Sequence, residues 1–239
     1  MTDAESHRNA KAVFAALAAL AALAGSPASA AGLQVRVTAD DGAPVPDAAV
    51  YALRLDDESS GGPSVSRGIG AAKHTHPPIA VMDQRHRAFV PHVLVVQAGT
   101  LIDFPNNDSV SHHVYSFSPA RPFELSLYRG SEHPPLPFDT PGLVVVGCNI
   151  HDDMLGYILV VDTPHFGKTN PHGIAALEGL PAGRYSVNVW TPRLRPEELP
   201  HAQIVTLGPN AREAVDFELD ARLLPPHDDG ESSLTWNDY

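Results

Sequence analysis

Leu143-Val144-Val145-Val146-Gly147-Cys148-Asn149-Ile150-His151-Asp152-Asp153-Met154-Leu155-Gly156-Tyr157-Ile158-Leu159-Val160-Val161 is two apolar runs around a polar centre. The runs at 143–147 and 156–161 are short, rich in β-branched residues and bounded by glycine, so they read as two buried strands. The centre becomes a tight loop, residues 148–154, that carries a thiol, an imidazole and a thioether. Cys148 is the only cysteine in the chain.

Strand signals extend outward in both directions and helix signals are nearly absent. Leu33 to Thr38 alternates apolar and polar residues, and Asp40-Asp41-Gly42 turns the chain toward a second strand at 48–53. Strands are expected at 89–96, 101–104 and 112–117 before the central pair. After Asp162-Thr163-Pro164 come further strands at 173–177, 180–190, 202–207 and 214–219. Short strands punctuated by Gly and Pro argue for an all-β sandwich. Residues 55–80 are polar, Gly/Ser/Pro-rich and aperiodic, and read as a mobile insertion. Its His74 and His76 read as solvated loop residues. The tail at 222–239 reads as disordered.

The first 30 residues read as a signal peptide rather than part of the fold. Arg8 and Lys11 precede an apolar run from Val13 to Gly25, and Ser26-Pro27-Ala28-Ser29-Ala30 has the small-residue pattern of a cleavage site. The run is shorter than the ~20 residues a membrane span needs. Cleavage after Ala30 would export the remainder to a Gram-negative-type periplasm, leaving about 209 residues without a membrane span. Their net charge of −12 argues against nucleic acid and anionic lipid, and suits a basic protein partner. One cysteine makes no internal disulfide, so an exported thiol needs burial or a metal.

Cys148, His151 and Met154 with one more histidine are the ligand set of a blue-copper electron-transfer site. The upstream source is His112-His113, at the start of an expected strand. Alone, each residue has a bland explanation: a buried small hydrophobe, a solvated loop imidazole, core filler. Together, with fixed spacing, strand flanks and an export signal, they favour a metal. The soft thioether favours copper over zinc. His86, His92, His133, His165, His172 and His201 have no convergent spacing.

Several segments carry a family resemblance. They are Gly99-Thr100, Phe104-Pro105-Asn106-Asn107-Asp108, His112-His113-Val114-Tyr115-Ser116-Phe117, Phe123-Glu124-Leu125 with Tyr128, Phe138 with Pro141-Gly142, and the 148–154 loop. This pattern resembles periplasmic cupredoxins of the plastocyanin and amicyanin type, and more narrowly the plastocyanin-like proteins labelled methylamine utilization proteins. The resemblance implies a Greek-key β-sandwich copper domain over 31–162. It implies one copper ion cycling between Cu(I) and Cu(II), with His112, Cys148 and His151 equatorial and Met154 axial. Cupredoxins commonly place Asn after the first histidine. Here it is His113, which can take over that residue's loop-tying hydrogen bond or be the ligand itself. Asp152 and Asp153 replace the usual apolar rim and favour docking of a basic redox protein, such as a periplasmic cytochrome c or a dehydrogenase.

Residues 163–221, through Leu180-Pro181-Ala182-Gly183 and Tyr185, resemble carboxypeptidase-regulatory-like and transthyretin-like (Ig-like) sandwiches. Part of 33–53 resembles the opening strands of the same group. Some members of that group bind carbohydrate, and Trp190 is either a stacking platform or, more in keeping with a sandwich, a buried core residue. No catalytic triad, paired carboxylates or phosphate cradle is evident, so a non-enzyme is expected. The readings, in order, are a type 1 copper electron carrier, a copper sequestration or delivery protein, and a carbohydrate- or protein-binding module without redox turnover.

Overall fold

The computed structural model describes residues 31–55, 77–195, 201–219 and 223–225. The expected signal peptide, His74 and His76 with most of the insertion, and all but three residues of the tail lie outside the described residues. Among the described residues there are strands and no helices, as the all-β reading requires. No helix among them is long and apolar enough to cross a membrane.

The chain enters on β1 (Ala31–Ala39) and β2 (Ala49–Arg54). It continues through β3 (Ile79–Val81), β4 (Asp83–Arg85), β5 (Ala88–Val90), β6 (Val93–Gln97) and β7 (Thr100–Asp103). Next come β8 (His112–Ser116), β9 (Phe123–Tyr128), β10 (Leu136–Phe138), β11 (Gly142–Cys148) and β12 (His151–Val161). The last strands are β13 (Phe166–Lys168), β14 (Ile174–Leu180), β15 (Gly183–Trp190), β16 (His201–Leu207) and β17 (Arg212–Leu219).

These strands enclose two cores. In the first, the sheets β14-β1-β17 and β13-β2-β15-β16 close over Leu33, Val35, Val37, Val187, Val189 and Phe217. The alternation in β1 buries Leu33, Val35 and Val37 while Gln34 and Arg36 face water. Gly173 joins this sandwich at φ 71°, where an added Cβ would lie 2.5 Å from the Val37 carbonyl oxygen. Only glycine fits. The Tyr185 hydroxyl donates back to the Pro181 carbonyl at 2.8 Å, the local closure of a tyrosine corner. Trp190 is buried and packs on Tyr157 at 5.7 Å, so its ring offers no exposed stacking face.

In the second core, the five-stranded sheet β6-β12-β11-β8-β9 faces β10-β7-β3 and the β4–β5 hairpin. The sheets enclose Phe89, Ile102, Phe104, Phe138, Val144, Val146 and Ile158. The sequence-expected strand at 89–96 is divided at Pro91, which has no N–H to give a ladder. Its first part pairs with β4 and its second runs parallel to β12. Ile79 and Ala80, grouped with the insertion in the sequence reading, lie in β3.

The strands at 31–54, which the expected bounds place with 89–162 but whose residues 33–53 resemble the opening strands of the later sandwich group, pair with the later strands. β1 runs antiparallel to β14 and parallel to β17, and β2 lies between β13 and β15. The central segment from Ile79 to Val161 is thus inserted between the first two strands and their partners. The two cores meet at β12, where Ile158 and Val160 face one core and Leu159 and Val161 the other. A strand buried on both faces reads as an unbroken apolar run, and Ile158-Leu159-Val160-Val161 is one.

Candidate metal centre

Cys148 closes β11 and His151 opens β12, and the two are cross-strand partners around Asn149-Ile150. The seven-residue loop expected from sequence is therefore a two-residue turn flanked by strand. The ladder passes from Gly147 opposite Leu155 directly to Cys148 opposite His151, so residues 152–154 have no opposite number. This bulge leaves Asp152 and Asp153 exposed and turns Met154 inward, where it is 1% exposed. Met154 shares the second core with Cys148.

β8 brings the histidine from the neighbouring strand. It pairs with β11 through Cys148 opposite Val114 and Gly147 opposite Tyr115. Its pleat buries His112, Val114 and Ser116 and leaves His113 and Tyr115 partly exposed on the other face. Hence His112, and not His113, reaches the thiol. The His113 Nε2 lies 2.9 Å from Glu124 Oε1. The tie between the two ligand segments is made by backbone, with Asn149 N–H donating to the His113 carbonyl at 3.2 Å.

His112 Nδ1 and His151 Nδ1 stand 3.2 Å apart, and Cys148 Sγ lies 3.7 Å from the first and 3.6 Å from the second. These three form the group of His, Cys, Asp and Glu side chains able to hold a metal ion among the described residues. Metal–nitrogen bonds of about 2.0 Å and a metal–sulfur bond of about 2.3 Å would span a triangle of this size. Two nitrogens and a sulfur facing one another at this range fit a cation better than a web of mutual donors. His112 and Cys148 are buried, and His151 is partly exposed at the rim beside the two aspartates.

Asp108 was not singled out as a site residue by the sequence, but it fixes His112. Its Oδ2 lies 2.9 Å from His112 Nε2 and accepts the Arg87 N–H at 2.7 Å, while Oδ1 accepts the Ser109 N–H at 2.6 Å. Burial raises the Asp108 carboxyl. The bond from His112 and the N–H groups of Arg87 and Ser109 outweigh that and bring it down to about 2. A carboxylate there accepts Nε2–H, which leaves the His112 Nδ1 lone pair aimed at the triangle. At His151, partial burial and then the charges of His112 and Arg87 hold the imidazole below its usual value, against the opposing pull of Asp108. That favours the neutral, ligating form.

The loop bearing Asp108 is itself locked. Asn106 Oδ1 accepts the Asp108 N–H at 3.0 Å, and its Nδ2 donates to the carbonyls of Val110 and Tyr128. Gln84 Nε2 donates to the Tyr128 hydroxyl, which in turn donates to the Phe104 carbonyl, each at 2.6 Å. Burial pushes the Tyr128 phenol up to about 12, so that donor keeps its proton. The quoted Phe104–Asp108 stretch was the only sequence sign of this support.

No family model matches the chain, and no curated protein matches it. Among solved structures, a Cu-containing nitrite reductase from Thermus scotoductus SA-01 is 26% identical over 36% of this chain, with a TM-score of 0.33. The match spans 22% of the reductase's own length. An oxidized mutant of amicyanin is 18% identical over 34% of this chain and 80% of its own, at a TM-score of 0.32. A purple cupredoxin from Nitrosopumilus maritimus is 18% identical over 35% of this chain and 99% of its own, at a TM-score of 0.31. The neighbours are cupredoxins, and the likeness to each is confined to about a third of this chain.

Proposed function

We propose that the protein is an exported, periplasmic type 1 copper protein that carries single electrons and turns over no substrate. The observation that carries this reading is the triangle of His112 Nδ1, Cys148 Sγ and His151 Nδ1, within 4.8 Å of one another on paired strands of a packed sandwich. In this reading His112, Cys148 and His151 would hold one copper ion, and the buried Met154 thioether, in the same core as Cys148, would serve as a further, weak ligand. Copper would supply a one-electron couple between Cu(I) and Cu(II). His112 and Cys148 keep the site dry from the core side. Asp108 fixes the tautomer and orientation of His112, and the partly exposed His151 edge would give an electron its way in and out. Asp152 and Asp153 beside that edge steer a basic redox partner.

Titration of the purified protein with Cu(II) tests the reading. An intense visible thiolate-to-copper absorption is expected, absent from Cys148→Ser, and a colourless product in the parent would refute it. Stopped-flow exchange then separates a carrier from a copper store. A carrier oxidises and reduces rapidly with a small redox protein, and a store does not.

A further inference from the structure

We propose that the cleft between the two sandwiches binds a small organic oxyanion, a carboxylate or phosphate monoester with an apolar body. The cleft is a cavity of about 640 Å³, within the range of small-molecule sites, and such sites favour the junction of two packed units. In a chain of net charge −12 it gathers Arg85, Lys168 and Arg193 against a single lining carboxylate, Asp47. Lys168 is already engaged, donating to the Val93 carbonyl at 2.7 Å and pairing with Asp47 at 2.5 Å.

The two arginines are held differently. Arg85 Nε donates to Asp83 Oδ2 at 2.6 Å, and Arg193 Nε donates to the Leu224 carbonyl at 2.8 Å. Each guanidinium is thereby oriented through one nitrogen. Their terminal NH₂ groups have no hydrogen-bond partner among the described residues. An anchored fork with free terminal donors is suited to bidentate capture of a carboxylate or phosphate. Phe89, Pro91 and Val93 line the same cavity and give an apolar body a surface to rest on.

Two of the lining residues, Asp47 at φ 58° and His86 at φ 50°, hold left-handed backbone without being glycine. That conformation carries a cost and recurs around ligand sites. None of these groups belongs to the metal triangle, so the metal-free chain carries the site.

The test uses the metal-free full chain, labelled with ¹⁵N and titrated by NMR with phenyl phosphate, benzoate and inorganic phosphate. Saturable shifts confined to residues 85–93 and 190–194 are expected with phenyl phosphate or benzoate. The stronger of the two identifies the head group. Inorganic phosphate should bind more weakly than phenyl phosphate, and equal affinity would remove the apolar half of the proposal. Arg85→Gln and Arg193→Gln should each weaken binding about tenfold by loss of charged hydrogen bonds, with unchanged spectra far from the cleft. Arg193→Lys keeps the charge and loses the fork, so it should also bind more weakly than the parent. Shifts scattered over the surface, or undiminished affinity in the Arg85→Gln/Arg193→Gln double variant, would overturn the site.

Discussion

Asp108 and His112 show how a carboxylate four residues upstream of an imidazole decides which ring nitrogen faces the thiol. Asp108 Oδ2 takes Nε2 at 2.9 Å in a setting where both side chains are almost wholly buried. Asp108→Asn keeps the shape and loses the charge, so the His112 ring becomes a poorer electron donor and a freer rotor. Cu(II) affinity should fall roughly 10- to 100-fold, as when other ligand-orienting partners are removed. Because the loss falls mainly on the more highly charged Cu(II), the reduction potential should rise by about 59 mV for each tenfold of preferential loss. Competition titration and voltammetry measure the two, and unchanged values in Asp108→Asn would show the bond to be incidental. A second comparison concerns the paired histidines. His112→Ala should abolish the visible spectrum, while His113→Ala, whose ring pairs with Glu124 on the other face, should retain it. That Cys148 and His151 would stand side by side was legible, because a tight hairpin puts residues three apart in sequence opposite one another. The choice between His112 and His113 was not, because Val114 and Tyr115 are both suitable core residues and the sequence does not say which face is inward. Asp108 entered only as the last residue of the Phe104–Asp108 segment, with no role attached, since an aspartate in a polar loop is ordinary.

The hairpin β11–β12 is the element on which the site depends, and its register is guarded by close packing. An added Cβ at Gly156 would lie 2.9 Å from Phe89 Cβ and 3.1 Å from its ring. Gly156→Ala must therefore push β5 away from β12 and should cost about 1–3 kcal/mol, read as a lower urea midpoint at unchanged slope. His165, between β12 and β13, gives a pH signature. Burial first, and then the charge of Arg54, hold its imidazole below the usual value. The unfolded chain therefore takes up this proton before the native one as pH falls below about 6.5. The stability associated with His165 is complete above that pH and is lost as pH drops toward the depressed native value. Urea midpoints at pH 7.5 and 5.5 should show a smaller loss in His165→Gln than in the parent, and equal losses would contradict the assignment. Most strands were readable from alternation and turn residues. The break at Pro91 and the short β13 were not. Pro91 sits inside an apolar run that continues on both sides, and Phe166-Gly167-Lys168 is too short to show a period.

At the scale of the whole chain, the expected bounds put 31–54 with the copper domain, while the resemblance of 33–53 to the opening strands of the later sandwich points to the pairing the structure has. Local pattern identifies β1 and β2 as strands, but pairing partners more than 100 residues away leave no trace in period or turn chemistry. The consequence is a molecule whose two cores share a wall. β12 sends Ile158 into the core behind Cys148 and the adjacent Leu159 into the core of the flanking sandwich, and β6 does the same with Val96 and Val93. Neither core can open without exposing one face of β12. The two sandwiches should therefore unfold in one transition rather than two. Ile158→Ala and Leu159→Ala each leave a cavity on opposite sides of the same strand, at a cost of about 2–5 kcal/mol. Both should shift that single transition downward, whether it is followed through the visible band of the metal site or through far-ultraviolet circular dichroism. If Leu159→Ala lowered only a separate β-sheet transition and left the metal-site band melting at the parent temperature, the shared wall would not couple the cores. The insertion would then behave as an independent domain held between the strands that flank it.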